Sequence, residues 1–149
     1  SRHDCEYVEL KELMKRSDMI SLHLPLMPAT HHYIGASEFA LMKKGVMLIN
    51  TSRGGIVDAK ELIQALKSGH IGQVGLDVYE EEAGRFFEDQ SGLVMSDDVL
   101  ARLLSFSNVL ITGHQGFLTH EALANIATTT LMNVTDAEMG RPLVNEVLG

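Results

Sequence analysis

A single cysteine, Cys5, leaves this chain of 149 residues nothing to pair with internally. A disulfide framework is thereby excluded, and a reducing compartment such as the cytoplasm suits the composition. Positive charge is also scarce. Twelve Lys and Arg against twenty Asp and Glu give a net charge of −8, which argues against a nucleic-acid surface. No block of like charges marks a disordered tail. No apolar run approaches the length of a membrane span, and the first residues do not read as a signal peptide. Ser1 rather than Met stands first, which fits a cut or processed start.

Several catalytic signatures are missing as well. There is no G-x-S-x-G elbow, and Cys5 has no plausible base near it in sequence. No H-x-x-x-H or paired-cysteine spacing is present for zinc. His31 and His32 are adjacent, so on a regular element their rings diverge. His3, His23, His70 and His120 form no ligand constellation, so no metal is expected. No low-complexity linker or internal repeat divides the chain.

What is present is a rhythm. Four apolar runs recur: MISLHLPL (19–26), VMLINTS (46–52), QVGLDVY (73–79) and NVLITGH (108–114). Their hydrophobic residues are nearly continuous, the pattern of strands covered on both faces. Helical patterns alternate with them. Residues 8–15 carry Val8, Leu10, Leu13 and Met14, and Ser37 is a possible N-cap for 37–42. Asp58 with Glu61 has capping-box spacing, and Gly69 stops the helix that follows. Ser96 is placed to cap 97–105, and Thr119 to cap a longer helix reaching about Met139, with Pro142 just beyond. The alternation predicts an α/β fold, a parallel sheet with helices on both faces. The methionines, Met14, Met19, Met42 and Met47 among them, fall on apolar faces and read as core. In the long acidic connection, Phe86-Phe87 suits either a lid or a packed anchor.

In such sheets ligands bind at the carboxyl ends of the strands. Pro25, Ser52-Arg53, Asp77 and His114 all fall there. Arg53 offers a planar fork of donors that matches a carboxylate or phosphate, and Gly54-Gly55 leaves the approach clear of side chains. A strand-end arginine pairing with an acidic helix is the plainer alternative. His114 is either a core histidine bonded to backbone or a proton donor. Glu80-Glu81-Glu82 is either a solvated charge run or the source of a carboxylate that faces His114 and favours its charged form. Arginine, histidine and carboxylate on one rim suit an enzyme that anchors an anion and moves one proton.

The runs MKKGVMLINTSRGGIVD (42–58), GLDVYEEE (75–82) and NVLITGHQGFLT (108–119) resemble the D-isomer-specific 2-hydroxyacid dehydrogenases. The GRFFEDQSG loop (84–92) is most similar to that of the lactate-forming members. The resemblance covers essentially the whole chain. It implies a Rossmann-type domain that uses NAD to reduce pyruvate to D-lactate. By the same resemblance, Arg53 grips the substrate carboxylate, His114 is the acid/base, and Glu82 is its partner. Leu24, Pro25, Thr30, Thr51, Ser52, Arg53 and Asp77 then line the cofactor. A soluble homo-oligomer acting on a small 2-oxo acid is implied, with neither nucleic acid nor membrane as partner. A binding module or pseudoenzyme on the same fold, acting through protein partners, is the competing reading.

One departure stands out. A dinucleotide fold needs a glycine-rich turn after its first strand, and no G-x-G-x-x-G is present. Gly69, Gly72 and Gly75 have the wrong spacing and lie between a helix and a strand. The chain is therefore expected to be the carboxyl half of the nucleotide domain (1–118) followed by a carboxyl-terminal helix and tail (119–149). Alone it is expected to be inactive, and to be oligomeric or loosely folded.

Overall fold

The computed structural model describes residues 5–80 and 97–147. Four strands, β1 (Met19–Leu22), β2 (Val46–Asn50), β3 (Ile71–Leu76) and β4 (Val109–Ile111), form one sheet. Its order is β1-β2-β3-β4 and every pairing is parallel. Helices α1 (Leu10–Arg16), α2 (Ala36–Leu41), α3 (Ala59–Lys67) and α4 (Asp98–Leu104) alternate with the strands, and a 3₁₀ turn covers Gly54–Ile56. The parallel α/β sheet expected from the sequence is present.

Among the described residues of the first compact unit, burial of the sheet is one-sided. Ile20, Leu22, Val46, Leu48, Val74 and Leu76 join Met14, Phe39, Leu62, Leu66, Leu100 and Leu103 in one core. Each of α1 to α4 therefore delivers its apolar stripe to the same sheet face. The alternate residues fare differently: Met19 and Leu110 are exposed, and Met47, Ile49 and Gly75 are half-buried. They belong to the second face, where a cavity of about 620 Å³ runs along Met47, Ile49, Gly75 and Leu110. Near-continuous apolar strands announced two faces to cover; the core of α1 to α4 covers one.

Several local expectations hold. Asp58 caps α3, its carboxylate accepting from the backbone N–H groups of Lys60 and Glu61. Gly69 ends that helix with φ +67, the left-handed conformation that glycine adopts without strain. Thr119 caps α5 (His120–Glu138) by accepting from Ala122 N–H. Two caps differ. Ser37 lies inside α2, whose N-cap is Gly35, with the Glu38 carboxylate accepting from the Gly35 N–H at 3.1 Å. The cap of α4 is Asp97, not Ser96, because its carboxylate reaches the N–H groups of Val99 and Leu100. The apolar runs also overshoot. The strands stop at Leu22, Asn50, Leu76 and Ile111, and the remaining residues of each run form turns at the rim.

The chain packs as two compact units, Ser1–His114 and Gln115–Gly149. The second unit is α5 with its flanking turns, and no residue of α5 is buried.

Gly72 sits where a Cβ would lie 2.4 Å from the Gly45 carbonyl oxygen, whereas Gly69 has open space around it. Gly69→Ala should therefore cost only the left-handed backbone penalty of about 1–2 kcal/mol. Gly72→Ala must displace backbone and should cost more. Urea denaturation of both variants checks the order, and equal midpoints would contradict it.

Candidate active site

The rim is built on a continuation of the sheet ladder. Asp77 N–H donates to the Asn50 carbonyl at 3.0 Å, one step beyond the last β2–β3 pair. His114 N–H then donates to the Asp77 carbonyl at 2.7 Å. Two backbone bonds thus tie the turns after β2, β3 and β4 into one row. His114 is held there with φ +53, a left-handed conformation uncommon outside glycine. Its side chain is half-buried.

Arg53 owes its position to Asn50. That side chain is 1% exposed, and its amide works in both directions. Nδ2 donates to the Arg53 carbonyl at 2.9 Å, and Oδ1 accepts from Ser52 N–H at 3.1 Å. The turn 50–53 is closed by a buried side chain that sequence reasoning passed over. Its signal was a polar residue ending an apolar run. The Arg53 side chain itself is exposed, with Nη1 donating to the Ser52 carbonyl at 2.7 Å. Among the described residues it makes no ion pair, so the pairing with an acidic helix is not realised there.

The glycines after Arg53 serve a different purpose from the one expected. A Cβ on Gly54 would lie 2.0 Å from the Tyr79 carbonyl carbon and 2.4 Å from Glu80 N. The space beside Gly54 is occupied by the backbone leaving β3, not left open for a ligand. That contact sets the arginine turn directly against the segment that leads into the acidic cluster. Glu82, together with Phe86-Phe87, lies outside the described residues. Tyr79 and Asp97 flank that stretch and are joined, the Tyr79 hydroxyl donating to Asp97 Oδ2 at 2.9 Å.

The remaining rim residues form two groups. Leu24, Pro25 and Thr30 belong to the turn after β1. Ser52 Oγ donates to the Leu24 carbonyl at 2.5 Å, and Thr30 Oγ1 donates to the Pro25 carbonyl at 2.7 Å. The β1 turn is thereby pinned to the arginine turn. Thr51 and Asp77 line the cavity on the second sheet face together with Thr112, whose hydroxyl donates to Asp77 Oδ1 at 2.5 Å. Pro25, Leu26 and Met27 are exposed beside these polar groups. The two groups offer apolar surface together with carboxylate and carbonyl acceptors.

His31 and His32 do not diverge as expected. They lie in the turn after β1, His32 with φ +50, and their rings stack with centroids 3.9 Å apart. Both Nε2 atoms face Glu80 Oε1, at 3.6 and 2.6 Å. The expectation rested on regular geometry, and the left-handed residue removes it.

Asn50→Ala should leave Ser52 N–H and the Arg53 carbonyl without their buried partner, at a cost of about 1–3 kcal/mol. Thermal denaturation should show the loss. In a protein with measurable turnover, the same variant should weaken anion binding without touching Arg53. Unchanged stability would remove Asn50 from this role.

Comparison with known proteins identifies the family of the chain. Residues 1–116 match the family model of the D-isomer specific 2-hydroxyacid dehydrogenase, NAD binding domain. The chain is 51% identical to 2-hydroxyacid dehydrogenase A of Aspergillus oryzae over 96% of its own length and 41% of that protein. It is 50% identical to D-lactate dehydrogenase of Escherichia coli, over 96% of this chain and 44% of the relative. The solved pyruvate reductase of Chlamydomonas reinhardtii superposes with a TM-score of 0.88 at 50% identity, covering 93% of this chain and 43% of that one. The chain thus spans well under half the length of these relatives. With the parallel sheet and its sequence motifs in agreement, the chain belongs to the D-isomer specific 2-hydroxyacid dehydrogenases, of which it carries NAD-binding domain sequence.

Proposed function

We propose that the full-length protein reduces a small 2-oxo acid, pyruvate foremost, to the D-2-hydroxy acid with NADH, and that this chain supplies the substrate anchor and the proton donor. The observation that carries the reading is the row formed by Asn50, Asp77 and His114, which aligns the arginine turn with the histidine on one rim. The relatives named as a D-lactate dehydrogenase and a pyruvate reductase support the choice of substrate.

In this mechanism the exposed Arg53 guanidinium takes the substrate carboxylate through two parallel charge-assisted bonds. The anchor fixes the keto carbon, which shortens the search for a reactive geometry. Leu24, Pro25, Thr30, Thr51, Ser52, Arg53 and Asp77 would hold NADH, which when bound would supply the hydride. His114 donates its proton to the keto oxygen as negative charge develops there. Glu82 holds the imidazole in orientation. Oxidation of the hydroxy acid runs the same steps in reverse, with neutral His114 as base. We further assign the protein to the cytoplasm and to a homo-oligomer. The free Cys5 and the exposed apolar residues of α5, Ile126, Leu131 and Met132 among them, support these assignments. The domain limits of 1–118 and 119–149 remain part of the same proposal.

Two measurements test the roles. Arg53→Lys keeps the charge but loses the fork, so kcat/KM for pyruvate should fall at least tenfold, given about 1.5–3 kcal/mol per charge-assisted bond. His114→Gln should lower kcat by about 10²–10⁴-fold. Near wild-type pyruvate kinetics in either variant would remove that residue from the mechanism. Glu82→Gln should reduce kcat far more than Glu80→Gln, and the opposite order would show that the wrong acid has been chosen. NADH titration by fluorescence, followed by a pyruvate assay, separates turnover from binding alone.

A further inference from the structure

Beside the rim, and playing no part in the reduction, lies a cluster of side chains that the reaction leaves unexplained. One ring nitrogen each of His31 and His32 and a Glu80 carboxylate oxygen all lie within 4.8 Å of one another. The geometry points to a transition-metal site here, binding one divalent ion of the Zn²⁺, Ni²⁺ or Co²⁺ class. Imidazole nitrogen and carboxylate oxygen are the ligand types these ions take.

Placement of the donors is fixed from behind. His32 N–H donates to the Gly55 carbonyl at 2.8 Å, and Ile34 and Val57 form a parallel bridge just beyond. That bridge brings Asp58 beside the His32 ring, with Oδ2 facing Nδ1 at 3.5 Å. The other Asp58 oxygen is committed to capping α3, which holds the carboxylate still. A carboxylate on Nδ1 favours the tautomer that carries its proton there and leaves the Nε2 lone pair free for a metal. Glu80 is set by the packing of its backbone against Gly54.

Without a metal, Nε2–H of His32 donates a hydrogen bond to Glu80 Oε1 at 2.6 Å. A metal ion would take the place of that proton, with Asp58 then holding the ring proton on Nδ1. Bonds of about 2.0–2.1 Å in tetrahedral geometry place ligand atoms about 3.3 Å apart. The two histidine–glutamate distances, 2.6 and 3.6 Å, bracket that value, so a small rotation of Glu80 meets it. The His31 ring, more than half exposed, must turn out of its stack to aim its lone pair at the ion and supply the third donor, and water completes the shell. Such an ion would clip the turn after β1 to the segment leaving β3. His32 accepts a left-handed backbone, and strain of that kind concentrates at ligand sites.

Metal-free, untagged protein titrated with Zn²⁺ by calorimetry, and with Co²⁺ by absorption, should show one saturable site per chain. His31→Ala and Glu80→Gln, both changes at accessible side chains, should each weaken binding at least tenfold. His32→Asn, which tolerates the left-handed backbone, should do the same, while His120→Ala leaves it unchanged. Zn²⁺ should raise the melting temperature of the wild type and not of Glu80→Gln, with circular dichroism confirming that each variant is folded. Absence of saturable binding below about a millimolar would overturn the site and leave an ordinary His32–Glu80 hydrogen bond. Binding that survives in both His31→Ala and Glu80→Gln would overturn it equally.

Discussion

Everything at the rim depends on carrying the parallel ladder past the ends of the strands. A parallel sheet brings its strand ends to one edge, but regular pairing stops at Asn50, Leu76 and Ile111. The bonds from Asp77 to Asn50 and from His114 to Asp77 extend alignment into the turns, where side chains can face a ligand. Close backbone packing of Gly54 on Tyr79 and Glu80 adds a second constraint between the same turns. Loops so tied behave as part of the scaffold. An exposed arginine can then be placed with useful accuracy through its backbone alone.

The cost of that arrangement falls on polar groups taken out of water. Asn50 is nearly inaccessible, yet its amide donates and accepts in the same turn, so its burial leaves no bond unmade. Asp97 is treated in the same way, accepting from Val99, Leu100 and the Tyr79 hydroxyl. Among the described residues no buried side-chain polar atom lacks a partner. Satisfied buried groups of this kind specify one arrangement of a turn, because any alternative breaks several bonds together.

The sheet was readable because its signal is repeated: apolar runs, turn residues and helical patterns agree over the whole first unit. The strand-end positions of Arg53 and His114 were readable because each stands where an apolar run meets glycine. The meaning of Gly54 was not. A glycine records only that something comes close, and here the neighbour is backbone from another strand rather than a ligand. Ser37 and Ser96 illustrate a different limit, since a residue able to cap can stand close to the one that takes the cap position. The pairing of His31 with His32 was hidden for a further reason. Ring directions follow the backbone, and no periodicity reveals that His32 takes positive φ.

Helix α5 presents the remaining physical problem. Nineteen residues long, it buries none of them, although Leu123, Ile126, Leu131, Met132 and Val134 all stand exposed. Its sequence includes the run Thr128–Thr130 with Val134 and Thr135, β-branched residues that hold a helix less well than alanine or leucine. Thr130 and Thr135 return hydroxyl bonds to the carbonyls of Ile126 and Leu131, which does not compensate for weak propensity. Helices of this length draw most of their stability from burying an apolar face. The composition of α5 therefore calls for a packing surface, and the proposed homo-oligomer is one way to supply it. In the first unit the same requirement is met internally, by four short helices sharing one sheet face.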